Sequence, residues 1–369
     1  MKPIWTQAEP GAAYSVPKRS SWLIYAMGGG WGHLTRSLAL ARVAASKYDV
    51  HILTNSPYAD LVTNSPVWQN DNFKGINIIK PESIRSQSNE STSTSKHNPA
   101  ELLAAEIEAI VERHAISFLV VDTFPRGILG ELPQLLPRLG KTNLVLVQRD
   151  ISPDYSSKYN LLDFVRQNYK LVIDPGDCKN QQLSALARKT SAWVIRSCEE
   201  FPNRNNLRLQ FGINTSQPFV LVCASGRTEE QYFYARITER IRAELPEIEV
   251  RCLSASAFGT AVDELRIDYW PGIDCIYAAD IIIGAGGYNT ISECAALKRE
   301  LIAFPQKRLY DRQNLRIEQS ACKANSMPEM LESLKKLLLS GWQTKTSTSV
   351  SFKNGAAAAF ELIEQLAGA

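Results

Sequence analysis

His33 ends the glycine-rich run Gly28-Gly29-Gly30-Trp31-Gly32, just before LTRSLALAR, a stretch with helical periodicity. An imidazole titrates near neutral pH, so it can take a proton from a hydroxyl. Glycines let a backbone approach a ligand closely, and a helix start offers N–H groups to an anion. As a dinucleotide fingerprint the run fails. Counted from Gly28, the third glycine of G-x-G-x-x-G falls on His33, and counted from Gly30 it falls on Thr35. Asp122 closes the apolar run ISFLVVD (116–122) and should reach the same sheet edge as His33. Its carboxylate there either orients the imidazole, as in acid–base dyads, or caps the turn TFPRG. His51, His97 and His114 read as strand, loop and helix-end residues and carry no assigned role.

The second half repeats the pattern of a strand running into a glycine turn. DIIIGAG (280–286) leads into Gly286-Gly287-Tyr288-Asn289-Thr290. Asn289 or Thr290 can cap the next helix, whose N–H groups suit a diphosphate. Glu293, read as lying in the first turn, either complements the helix dipole or accepts hydrogen bonds from both hydroxyls of a ribose. In PQKRLYDRQN (305–314), Asp311, Arg312 and Gln313 start another helix at the same edge. Asp311 and Gln313 could bind sugar hydroxyls, and Asp311 could equally be a plain N-cap. Ser225, Gly226 and Arg227 in ASGRTEEQ (224–231) form a third such turn that could touch phosphate. No Asp-x-Asp triplet, histidine pair at ligand spacing or cysteine cluster points to a metal.

The elements that would position these residues read clearly. Short apolar runs begin at 22, 50, 76, 116, 143, 170 and 192 (AWVIRS, 192–197), with helical patterns between them. Continuous apolar runs of this length are strands buried on both faces, and their alternation with helices predicts a doubly wound parallel sheet. A polar stretch, 198–217, reads as an interdomain linker. A second series starts at 219, 249, 265, 280 and 300 and predicts a smaller parallel sheet. The expected layout is a polar tail at 1–20, a first domain at 21–205, a second at 206–345, and a last helix at 346–369 packing back on the first domain. The Ser/Thr-rich segment 86–98 reads as a surface loop. Ligands of open parallel sheets bind beyond the carboxyl ends of the strands, which puts the site in the cleft between the domains.

Composition narrows the class. Lys plus Arg number 41 against 38 for Asp plus Glu, too slight an excess for a dedicated nucleic-acid binder. Seven scattered cysteines with no C-x-x-C pair favour a reducing cytoplasm over a disulfide framework. No apolar run approaches a membrane span, and the start of the chain lacks a signal peptide's apolar core. Peripheral membrane contact is compatible with this composition.

GGGWGHLTR, GAGGYNTISE and FPQKRLYDRQN together resemble GT-B glycosyltransferases of the MurG type, glycosyltransferase family 28. The resemblance covers most of the chain. It is strongest in the glycine loop and over 280–315 and weak from 40 to 115. It implies two Rossmann-like domains, a UDP-sugar held mainly by the second, and metal-independent inverting transfer to a hydroxyl acceptor with no cofactor. It implies that His33 lies close to the reacting centre, that Gly286 and Gly287 face the diphosphate, that Glu293 holds the ribose, and that Asp311 and Gln313 lie near the donor sugar. A His33–Asp122 dyad is similar to that of UDP-glucuronosyltransferase relatives. The chain departs from the family at the shortened SGRTEEQ turn, the compressed QSACKANSMPEM and DTFPRGILGEL (122–132), which suggests a separate branch with its own acceptor: a lipid, a glycan or a small metabolite. Trp31 and Trp68, if exposed, could meet it, or they are packed indoles. GHLTRSLALA also resembles the GT-B-type UDP-sugar hydrolases of nonulosonate biosynthesis, which use water as acceptor. A third reading is a non-catalytic nucleotide-sugar-binding protein.

Overall fold

Strands β1 (Ser21–Tyr25), β2 (Asp49–Leu53), β3 (Ile76–Ile79), β4 (Ile116–Asp122), β5 (Asn143–Val147), β6 (Leu171–Asp174) and β7 (Arg188–Lys189) pair in the order β3-β2-β1-β4-β5-β6-β7. Every pairing is parallel. A computed structural model describes residues 20–69, 73–84, 98–176, 180–308, 311–340 and 350–367. Most of the N-terminal tail and of the 86–98 segment lies outside them. A second parallel sheet holds β8 (Phe219–Cys223), β9 (Glu249–Leu253), β10 (Arg266–Ile267), β11 (Ile281–Ala285), β12 (Glu300–Phe304) and β13 (Cys322–Lys323), in the order β10-β9-β8-β11-β12-β13. Helices cover both faces of each sheet, so β1, β8 and β11 are buried along their whole length. The doubly wound two-domain architecture expected from the sequence is the one observed.

The helices that frame the site and the domain junction are α1 (Trp31–Ala44), α2 (Pro99–Arg113), α3 (Arg204–Gln210), α4 (Thr228–Glu244), α5 (Gly272–Ala278), α6 (Tyr288–Ala296), α7 (Gln313–Ser320), α8 (Met327–Leu339) and α9 (Gly355–Glu364). Asn98 caps α2 by accepting from the N–H of Ala100, with Pro99 at the first helical position. Among the described residues no helix is long and apolar enough to cross a membrane.

Two expectations need correction. AWVIRS is not a strand. The first sheet ends at β7, and 192–197 crosses to the second domain as irregular chain with Trp193, Val194 and Ile195 buried. Its backbone groups find partners outside any ladder. Asn354 Nδ2 donates to the Val194 carbonyl at 2.7 Å, and the Gly355 N–H donates to the Ala192 carbonyl at 2.9 Å. A Cβ on Gly355 would lie 1.9 Å from the Ser191 carbonyl oxygen, so only glycine lets α9 start against this segment. Nor is 198–217 plain linker. Within it α3 is fastened to the second domain by Arg204 and Arg208, which both bind Asp280, at 2.5 and 2.7 Å. At the other end of the chain, α9 packs on the first domain, with Phe360 against Trp22 and Lys47 on Glu364 at 2.7 Å.

Strand order reverses between β1 and β4 in the first sheet and between β8 and β11 in the second. Chains leaving neighbouring strands at such a point diverge to opposite faces and leave a crevice. Asp122 ends one of these four strands, and His33, Ser225 and Gly287 lie just beyond the other three.

Candidate functional site

β1 and β4 are hydrogen-bonded neighbours, with Tyr25 opposite Val121, so the residues just beyond them share one edge. His33 Nδ1 there lies 2.6 Å from Asp122 Oδ2. Burial alone would raise the Asp122 carboxyl, but the Arg36 guanidinium and His33 outweigh it and hold the group well below the usual carboxylate range. An ionised carboxylate can only accept, so the proton of that bond sits on Nδ1, and in the neutral imidazole the lone pair is then on Nε2. Gly28 makes room for the ring: a Cβ there would stand 2.2 Å from His33 Cδ2. The chain then turns sharply after Asp122. Thr123 has φ +75°, and the Phe124 N–H donates back to the Asp122 carbonyl at 3.0 Å. A β-branched residue in that region is strained by about 1–3 kcal/mol. The turn brings the Phe124 ring alongside the imidazole, with centroids 5.6 Å apart.

Across the cleft, α6 starts at Tyr288 with Gly287 as N-cap. Asn289 and Thr290 therefore lie inside the first turn rather than capping it, and Glu293 falls in the second turn. Neither α6 nor α1 has a side-chain cap or an acidic residue in its first turn, which leaves both N-termini suited to an anion. A cavity between the domains is lined by Trp31, Thr35 and Leu61 from one side and by Ser225, Trp270, Asn289, Thr290 and Glu293 from the other. Glu293 is 9% exposed, and burial, with a smaller push from Asp274, raises its carboxyl to about 8. The Cys223 thiol on the same wall is pushed up by burial and by Glu293, which makes it a poor nucleophile.

The remaining sequence candidates divide. Gly29, Gly30, Gly32 and Gly287 have open space where a Cβ would be, so their backbones are approachable. Gly286 is turned into the protein: a Cβ there would lie 2.5 Å from Ile317, and its carbonyl is taken by Arg316 at 2.8 Å. Gly226, at φ +105°, lets Glu230 fold over the turn; a Cβ would meet Glu230 Oε2 at 2.0 Å. Glu230 binds the Arg227 N–H at 3.1 Å and Arg308 at 2.6 Å, while the Arg227 side chain is exposed. Asp311 accepts from Arg316 at 2.6 Å and from Gln313 at 3.2 Å, and Gln313 Oε1 accepts from the Gln306 N–H at 3.0 Å. These contacts hold Asp311 and Gln313 in one network outside the lined cavity, and Asp311 does not cap α7. Arg312 reaches the other domain and binds Asp150. Trp31 stacks on Tyr58 at 4.2 Å and Trp68 on Phe73 at 5.0 Å, so each indole is partly buried with a packed face, and Trp31 still lines the cavity.

The two glycine turns meet. Asn289 Nδ2 donates to the Gly32 carbonyl at 3.3 Å. Tyr288 is buried against the first domain, with its hydroxyl donating to the Pro175 carbonyl at 2.9 Å and Arg36 and Arg149 over its ring. Arg36, Arg149, Asp150 and Tyr288 did not emerge from the sequence. Arg36 stands three residues after His33, on the same helix face, but α1 also carries Arg42, and nothing local separates the two.

No family model matches the chain. Over 119 residues, 30% of the chain, it is 28% identical to an uncharacterised glycosyltransferase of Methanopyrus kandleri, and the match spans 33% of that protein. Solved structures of similar shape include the glycotransferase of kitacinnamycin, 13% identical with a TM-score of 0.62 over 95% of this chain and 99% of that one. Spinosyn rhamnosyltransferase complexed with thymidine diphosphate is 18% identical, with a TM-score of 0.55 over 94% and 96%. A glycosyltransferase of Streptomyces sp. SF2575, also complexed with thymidine diphosphate, is 14% identical, with a TM-score of 0.57 over 94% and 99%. At these identities the likeness is one of fold, and the fold is GT-B.

Proposed function

We propose that the chain is a metal-independent, inverting glycosyltransferase of the family 28 type that moves a sugar from a UDP-sugar to a hydroxyl acceptor. The observation that carries this reading is the 2.6 Å contact between His33 Nδ1 and Asp122, which frees Nε2 as a base beside the cleft. His33 Nε2 takes the acceptor's hydroxyl proton as that oxygen attacks the anomeric carbon. The bond from that carbon to the diphosphate breaks, and its electron pair leaves with the diphosphate oxygen. One displacement inverts the centre. Asp122 stabilises the imidazolium that forms. The N–H groups at the start of α6, with Gly287, Asn289 and Thr290, meet the charge growing on the diphosphate. Ser225, Gly226 and Arg227 flank the phosphates from the β8 turn, and Glu293 takes the ribose hydroxyls.

The names of the proteins similar in fold support the reaction class, and two of them were solved with a nucleoside diphosphate. Incubation of the protein with radiolabelled UDP-sugars in excess chelator, beside lipid, glycan and small-metabolite extracts, tests it. Label on an acceptor with inverted configuration supports the reading. Steady release of free sugar alone would make water the acceptor, and tight UDP binding without turnover would make the protein a binder. Activity that a chelator abolishes would refute metal independence.

A further inference from the structure

Arg36 is 1% exposed, yet its charge is not spread over several partners. Nε donates to Asp122 Oδ1 at 2.9 Å, and the NH2 nitrogen lies 2.8 Å from Oδ1 and 2.6 Å from Oδ2. A longer bond runs to Thr123 Oγ1 at 3.2 Å. Oδ2 is also the oxygen that meets His33 Nδ1. The guanidinium fork therefore grips the one carboxylate that touches the proposed base. Its other terminal nitrogen, NH1, is buried without a hydrogen-bond partner, and the group lies 5.2 Å from the ring of Tyr288 in the second domain.

We propose that Arg36 is a positioning residue of the dyad: it fixes the Asp122 carboxylate against Nδ1 and shares its charge, so that Nε2 is kept free of a proton. This rests on the reading of His33 as the base. A buried carboxylate with no other cation would favour the imidazolium strongly, and an imidazolium cannot take a proton from an acceptor. A guanidinium on the same two oxygens offsets that pull. The charged groups facing the imidazole are Asp122 from β4 and Arg36 from α1. From the second domain α6 presents Tyr288, and Arg149 lies beyond it, 4.6 Å from the same ring.

The test needs neither donor nor acceptor. In protein labelled with 15N-histidine, the His33 ring signals are assigned with His33→Gln and followed against pH in the wild type, Arg36→Gln and Arg36→Lys. The midpoint at which Nε2 gains its proton is expected to rise by about one unit or more in Arg36→Gln. A smaller rise of the same sign is expected in Arg36→Lys, which keeps a charge but loses the fork. A midpoint that does not rise, in a variant whose other signals stay native, overturns the proposal. If Arg36→Gln does not fold, Arg36→Lys decides by the same criterion. Failure of sugar transfer with the expected shift would instead count against the transferase reading alone.

Discussion

Arg312 of the second domain and Asp150 of the first face each other in a two-bonded ion pair, Nε to Oδ2 at 2.7 Å and NH2 to Oδ1 at 2.5 Å. The residues beside them are paired in the opposite sense, with Arg149 of the first domain 3.8 Å from Asp311 of the second. Asp150 is buried, so neutralising it removes a desolvated partner, whereas the half-exposed Arg312 keeps some water. Asp150→Asn is expected to weaken the closed arrangement by about 1–3 kcal/mol, the range for a hydrogen bond to a charge. Small-angle scattering of the variant should show a larger radius of gyration than the wild type, and UDP should bind less tightly. Identical scattering and affinity would show that the pair does not hold the cleft closed.

This clasp also shows where the sequence stops speaking. Arg312 reads as part of a donor-site triplet because its neighbours do, and nothing local says that it faces a residue 162 positions earlier. Strands buried on both faces are legible, since each is a short unbroken apolar run. AWVIRS has the same composition but is buried beneath α9, with Asn354 meeting its carbonyls, and composition cannot tell a ladder from a side chain as hydrogen-bond partner. β7 and β13 are two residues long and too short to leave a pattern. His33 and Asp122 could be brought together from the sequence because each ends or follows a strand, and parallel strands deliver their ends to one edge. Arg36 could not, because a buried arginine looks like any other until its carboxylate is in place.

His33 and Glu293 should fail differently. His33→Ala is expected to leave UDP affinity nearly intact and to lower kcat by about 10²–10⁴-fold, the range for loss of a general base. Glu293→Ala should raise the donor KM and weaken UDP binding by about 1–3 kcal/mol. Calorimetry of UDP beside turnover separates the two. Wild-type turnover in folded His33→Ala would leave the histidine as a turn residue. An equal loss of UDP binding in both variants would move the donor to the first glycine loop.

Gly28→Ala tests the geometry of the base rather than its identity. The added Cβ would fall 2.2 Å from His33 Cδ2 and 2.7 Å from Nε2, so the ring must swing away from Asp122. Turnover is expected to drop toward the level of His33→Ala, with UDP affinity little changed because the Glu293 side of the cleft is untouched. Gly29→Ala, where nothing lies within 4 Å of the new carbon, is the control and should keep its native stability. Full turnover in Gly28→Ala would mean that the ring works from another position.

Glu293 links proton uptake to both stability and binding. Its carboxyl stands at about 8 in the folded, empty protein, against about 4.3 for an unperturbed glutamate. Between those values the folded state holds a proton that the unfolded state has lost. By linkage, this group's contribution to stability is full below the unfolded value, falls as pH rises through that window, and levels off above about 8. Glu293→Gln cannot ionise, so its Tm should gain on the wild type steadily from pH 5 to about 8. Nucleotide binding should show the other side of the same linkage. Ribose hydroxyls donate to a carboxylate, so the bound state favours the ionised form and binding expels a proton. Wild-type affinity for UDP should therefore rise with pH up to about 8, and calorimetry in buffers of different ionisation heat should detect the released proton. The phosphate of UDP itself titrates near about 6, but it does so equally with both proteins, so the difference between wild type and Glu293→Gln isolates the carboxyl. A difference in affinity that stays flat from pH 6 to about 8 would show that Glu293 is already ionised in the empty cleft or does not meet the ribose. A flat difference in Tm over the same range points to the first of these, and a sloping one to the second.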